Sequence, residues 1–187
     1  MMIIGLAGTN GSGKDTVGQI LAEDYGFFVV SATAMLEEEL KKRNLAFERE
    51  NKRKVGNEWR EQFGLSAIVD KAIEQAKAKG ADKLAIGSLR HPAEVQKVKE
   101  LNGVAIWVDA DPHKRYERIQ SNKRGRIEDQ KTFEEFVKEE QDEMQSQGEA
   151  IGISGVEVKK LADIFIENNS DRQTLKQNVA NGIHEYL

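Results

Sequence analysis

Gly8 to Thr16, reading GTNGSGKDT, constrain the fold more than any other stretch of this chain. An apolar run, Met2-Ile3-Ile4-Gly5-Leu6-Ala7, precedes them, and an amphipathic run from Val17 to Tyr25 follows. The stretch therefore joins a short buried strand to a helix. Gly8, Gly13 and Lys14 have the G-x-x-x-x-G-K spacing of a phosphate-binding loop. Gly8, Gly11 and Gly13 permit the turns that bring successive N–H groups onto one anion. The helix beginning near Lys14 adds the positive end of its dipole. Lys14 supplies a mobile ammonium for the outer phosphates. One position is irregular: the motif places Ser or Thr directly after the lysine, and here Asp15 stands there, with Thr16 one place later.

The rest of the chain alternates strand and helix signals. Phe27 to Val30 reads as a second strand, and Ser31 caps a helix from Ala32 to Arg43. Two helices follow, Glu50 to Phe63 and Ser66 to Lys79, with Gly64 and Gly80 as stops. Val55, Trp59 and Phe63 recur every four residues and predict one core stripe. Lys83 to Ile86 is a third strand, ending in a Gly87–Arg90 loop, and Pro92 opens the next helix. Val104 to Val108 is continuously apolar, as expected of a strand covered on both faces. Asp111 and Pro112 start a helix bearing Arg115 and Arg118, which runs into the basic segment Lys123-Arg124-Gly125-Arg126. Thr132 to Glu135 is a capping box for an acidic helix, expected to be solvated with Phe133, Phe136, Val137 and Met144 inward. A last strand lies within Asp163 to Glu167, before a terminal helix capped in Ser170 to Gln173.

Strands alternating with helices predict an α/β three-layer sandwich, a parallel sheet with helices on both faces. Ligands in such sheets bind beyond the C-terminal strand ends. That edge gathers the Gly8–Thr16 loop, Ser31, the Gly87–Arg90 loop, Asp109 and the basic segment. The length of 187 residues fits one domain. The net charge of −4 and pI of about 5.6 point away from a general nucleic-acid or membrane surface. With no cysteine, disulfides and thiolate metal sites are excluded, and three isolated histidines give no ligand spacing. No apolar run approaches a membrane span, so a cytoplasmic protein is expected.

The phosphate loop, VVSATAMLEEELKKR, LRHPAEV, VDADPHKRYERI with KRGR, and GVEVKKLADIFIENN occur in the order seen in one family. On these residues the chain resembles the P-loop small-molecule kinases of the nucleoside monophosphate kinase and dephospho-CoA kinase group, and is adenylate-kinase-like in pattern. The resemblance implies a five-stranded parallel sheet in the order 2-3-1-4-5 and a lid over about residues 118–145. It implies ATP and Mg2+ as cofactors, with Gly8, Asn10, Gly11, Ser12, Gly13, Lys14, Asp15 and Thr16 around the nucleotide phosphates. Arg90 would hold the acceptor, and Arg118, Arg124 and Arg126 would be lid arginines. The implied partner is a small nucleotide-like molecule, a nucleoside monophosphate or dephospho-CoA.

Two departures bear on activity. Dephospho-CoA kinases end the second strand in Asp-Ala-Asp, where this chain has Ser31-Ala32-Thr33. The family also has a metal-orienting Asp after the third strand, where this chain has Gly87 and Ser88. Asp15 is the candidate replacement on the metal side, since magnesium favours hard oxygen ligands. Asp109 ends an apolar strand as a Walker B acid does, but capping chemistry assigns it to the base of the lid helix. Two other classes stay open: a nucleotide-binding regulator without useful kinase activity, and an ATPase switch.

Overall fold

The apolar run before the phosphate loop forms the centre of the sheet. In the computed structural model, which describes residues 1–122, 131–145 and 154–187, β1 (Met2–Gly8) pairs in parallel with β3 (Lys83–Leu89) and β4 (Val104–Asp109). β2 (Phe28–Ser31) and β5 (Ile164–Glu167) form the edges, giving the expected order β2-β3-β1-β4-β5, all parallel. Strand periodicity of two divides the core. Ile4 and Leu6 of β1, with Val104, Ile106 and Val108 of β4, face one helical layer, α1 (Lys14–Tyr25) and α9 (Arg172–Ile183). Ile3 and Ala7, with Ala105 and Trp107, face the other layer. That layer includes α2 (Ala32–Lys42), α3 (Arg49–Phe63), α4 (Ala67–Ala78), α5 (Pro92–Glu100) and α8 (Gly155–Leu161). β4 is buried from Val104 through Val108, as its unbroken apolar run requires.

α6 (Pro112–Ser121) and α7 (Phe133–Gln145) lie beyond the C-terminal edge of the sheet. They meet through rings: His113 stacks on Phe133 at 4.0 Å, and Tyr116 packs against Phe133 and Phe136 at 5.6 and 5.8 Å. Thr132 and Glu135 form the expected reciprocal cap of α7, at 3.2 and 2.8 Å.

Four expectations need correction. β3 does not stop at Ile86 but continues to Leu89 through a bulge: Leu6 pairs with Gly87 and Ala7 with Leu89, so Ser88 is extruded at φ 67°. Phe63 leaves the α3 stripe; Val55 and Trp59 are buried, whereas Phe63 is 54 % exposed under the Lys71 ammonium. The stretch before β5 contains α8, whose seven residues are too few for periodicity to announce. Asp109, read as a cap or lid-base residue, does not cap α6; Asp111 caps it as expected, accepting from His113 N at 2.9 Å and Lys114 N at 3.3 Å.

Candidate functional site

The phosphate loop leaves β1 at Gly8 and enters α1 at Lys14. Close approach constrains all three loop glycines; at Gly11 (φ 74°), a Cβ would stand 2.7 Å from the Arg115 carbonyl oxygen. At Gly8 (φ 139°), a Cβ would stand 1.9 Å from the Val108 carbonyl oxygen of β4. At Gly13 (φ 96°), a Cβ would stand 2.3 Å from the Asn168 side-chain amide. That amide follows β5 and donates to Ser12 O at 2.8 Å, so the far edge of the sheet fixes the loop from behind. Asn10, Gly11 and Thr16 are partly exposed and Ser12 is buried.

Lys14 folds back over the loop and donates to Gly8 O at 3.0 Å and Thr9 O at 2.5 Å. Burial lowers its ammonium from 10.5 to about 7. Arg90 and Arg115 add to the fall, while Asp15 and Asp109 oppose it. Asp15 is exposed in the first turn of α1, where a carboxylate suits the helix dipole.

Asp109 at the end of β4 braces this loop. It accepts from Thr9 Oγ1 at 2.7 Å, Ala110 N at 2.9 Å and Trp107 Nε1 at 3.4 Å. Lys159 of α8 stands 3.8 Å away. Arg115, 3 % exposed, is a second brace. Its guanidinium donates to Ala110 O at 2.8 Å, to Asn10 O of the loop at 3.3 Å, and to both carboxylate oxygens of Glu140 on α7. Arg118 is also turned inward, donating to Asn168 O at 2.8 Å and reaching Gly11 O at 3.5 Å. Arg124 and Arg126 lie outside the described residues.

Arg90 is set by its backbone. Its N–H donates to Glu94 Oε2 at 2.8 Å, and its carbonyl accepts from Ser154 N at 3.1 Å. Glu94 is 1 % exposed, and its other oxygen accepts from Arg60 of α3 at 2.7 and 3.2 Å. His91 Nδ1 accepts from Ala93 N at 3.1 Å and completes the cap of α5. A buried ion pair between α3 and α5 thus ends on the residue expected to meet the acceptor.

Beside the loop is a cleft lined by Gly8, Thr9, Asn10, Arg90, Trp107 and Glu140 among others. The structure therefore brings Lys14, Arg90 and the loop together. It leaves Ser31 capping α2 through Ala34 N at 3.3 Å, and places Gly87 beside it across the β2–β3 ladder. Glu140, Arg115 and Asn168 are the residues that sequence reasoning missed. Glu140 had a readable signal: Phe133, Phe136, Val137, Glu140 and Met144 form one inward stripe at helical spacing.

A phosphate loop on the central strand of a 2-3-1-4-5 parallel sheet defines a P-loop kinase-type fold. Residues 4–146 match the AAA domain family. The chain belongs to that family and to the UPF0200 proteins. It is 31% identical over 192 residues to a UPF0200 protein of Thermococcus kodakarensis, covering 100% of this chain and 98% of that protein. A UPF0200 protein of Pyrococcus horikoshii is 33% identical over 174 residues, covering 90% and 88%. Among solved structures, a shikimate kinase from Bacteroides thetaiotaomicron shares the fold at TM-score 0.64 and 14% identity, covering 99% of this chain and 98% of that one. A shikimate kinase from Acinetobacter baumannii in complex with shikimate does so at TM-score 0.62 and 18% identity, covering 100% and 94%. Among the described residues, no helix is long and apolar enough to cross a membrane.

Proposed function

We propose that this protein is an ATP-dependent, magnesium-assisted kinase that transfers the γ-phosphate to a small nucleotide-like acceptor, a nucleoside monophosphate or dephospho-CoA. One observation carries the reading. The cleft opens directly on Gly8 to Asn10 and has Arg90 on its wall, and we assign this space to the acceptor, beside the nucleotide phosphates. A protein that only holds or hydrolyses a nucleotide would have no use for an acceptor site there. Lys14 and the loop amides would hold the phosphates, and Arg90 an anionic group of the acceptor. Phosphoryl transfer depends chiefly on such positioning and positive charge. The lid roles of Arg118, Arg124 and Arg126, within about residues 118–145, rest on the family resemblance.

A second reading is a nucleotide-binding regulator with weak or no transfer. It is favoured by the end of β3, where Gly87 and Ser88 supply no carboxylate. Incubation of the protein with ATP and magnesium, against each nucleoside monophosphate and dephospho-CoA, separates the two. Phosphorylated acceptor supports the kinase. Tight ATP binding without product supports the regulator, and acceptor-independent hydrolysis overturns both.

The residues present suit a magnesium ion. Mg2+ commonly takes one or two protein oxygens, the rest coming from phosphates and water. Asp15 and Thr16 offer such oxygens beside Lys14 at the start of α1. When bound, the ion would offset charge on the transferring group. Asp15→Asn is expected to raise the magnesium concentration for half-maximal turnover by about tenfold or more. A magnesium titration of the variant checks this, and an unchanged midpoint would remove Asp15 from the metal side.

A further inference from the structure

Glu140 was expected on a solvated helix face, yet it points at the phosphate loop. Its carboxylate is fixed by Arg115, which also holds Asn10 O. One guanidinium therefore separates this carboxylate from the loop backbone. Glu140 lines the same cleft as Gly8, Thr9, Asn10 and Arg90, with Leu89, Met144 and Val158 as apolar walls. Both oxygens receive donors from Arg115, but a carboxylate oxygen retains a second lone pair for a further donor.

Resting on the kinase reading above, we propose that the accepting atom in this cleft is a hydroxyl, and that Glu140 receives its proton during transfer. The acceptor carries a separate anionic group for Arg90 and an apolar body for the cleft walls. Hydrogen bonding argues against a phosphate as the accepting group. A dianion there would find no donor on Glu140, whose oxygens only accept and whose charge is paired with Arg115. A hydroxyl reverses the sign of the contact, because the same carboxylate becomes its hydrogen-bond acceptor. In the step, the acceptor oxygen bonds to the γ-phosphorus and the bond from that phosphorus to the β-phosphate oxygen breaks. ADP leaves, and the hydroxyl proton passes to Glu140 and then to solvent. The carboxylate missing from the ends of β2 and β3 is in this account supplied by α7, from across the cleft.

The test uses the full-length protein with ATP and magnesium against two panels. One holds nucleoside monophosphates. The other holds hydroxyl acceptors with a remote anionic group, dephospho-CoA and shikimate. Phosphorus NMR tells a new phosphate ester from a new anhydride. The expected product is an ester. Glu140→Gln is expected to lower kcat by about 10²-fold or more, with KM for ATP changed by less than about twofold. Glu140→Asp keeps the charge and is expected to recover part of the rate; it also serves if the Gln variant fails to fold. An anhydride product overturns the hydroxyl assignment while leaving the kinase reading intact. An ester formed at an unchanged kcat in Glu140→Gln overturns the role of Glu140. Transfer to neither panel overturns the kinase reading itself.

Discussion

Lys14→Ala is expected to lower phosphoryl transfer by about 10²–10³-fold, the usual cost of removing one preorganised charge from such a site. The wild-type lysine also predicts a pH dependence of nucleotide binding. Burial holds its ammonium at about 7, so above that pH it is largely neutral before nucleotide arrives. A bound polyphosphate favours the charged form and raises the pKa again. Binding therefore takes up a proton at pH above about 7, and affinity falls as pH rises from there. The limiting slope is roughly tenfold per pH unit. Below about 7 the lysine is charged in both states and its contribution to the slope vanishes. Calorimetric titration with ADP, in buffers of different ionisation heat, measures both affinity and proton uptake. Lys14→Arg keeps its charge throughout and is expected to bind without that slope. A wild-type protein with no proton uptake would contradict the argument.

Glu94→Ala is expected to destabilise the fold by about 3–5 kcal/mol, because it leaves Arg60 charged and unpaired in the interior. Urea unfolding measures the loss. The same substitution removes the acceptor for Arg90 N, so the KM of the acceptor is expected to rise with it. The double variant Arg60→Met/Glu94→Leu separates the effects. It replaces the ion pair with apolar volume, which often restores stability. It does not restore the contact to Arg90. Stability recovered with the acceptor KM still raised is the expected pattern. An acceptor KM that tracks stability would mean that the pair does not position Arg90.

How much was legible in the sequence depended on how local each cause is. The phosphate loop, its flanking strand and helix, and β4 follow from runs of neighbouring residues. The sheet order came only through the family resemblance, since no local pattern sets which strands pair. Ser88 looked like loop because bulges have no composition of their own. Phe63 had the right spacing for the core, but it is the last residue of α3, before the Gly64 cap, and lies exposed. Arg115 had no assigned role and Arg118 read as a lid arginine, whereas the carbonyls of Asn10, Gly11 and Asn168 that they reach belong to segments far away in the chain. Glu140 was lost in a run of acids. Only the combination of helix phase and an apolar stripe marks it.

Asn168 links two segments that are synthesised far apart. Its amide holds Ser12 across a sequence separation of 156 residues. Its own N–H donates to Asp109 O, and its carbonyl anchors Arg118. The phosphate loop appears early in the chain but takes its final support from one of the last strands. Contacts of such long separation close late in folding, after the entropy of the intervening chain has been overcome. A growing polypeptide therefore carries the whole motif long before its backbone is held in shape. Nucleotide capture then becomes a report on completion: a chain that retains the motif but has lost the docked β5 is expected to present an unshaped loop, and so not to compete for ATP while still being made.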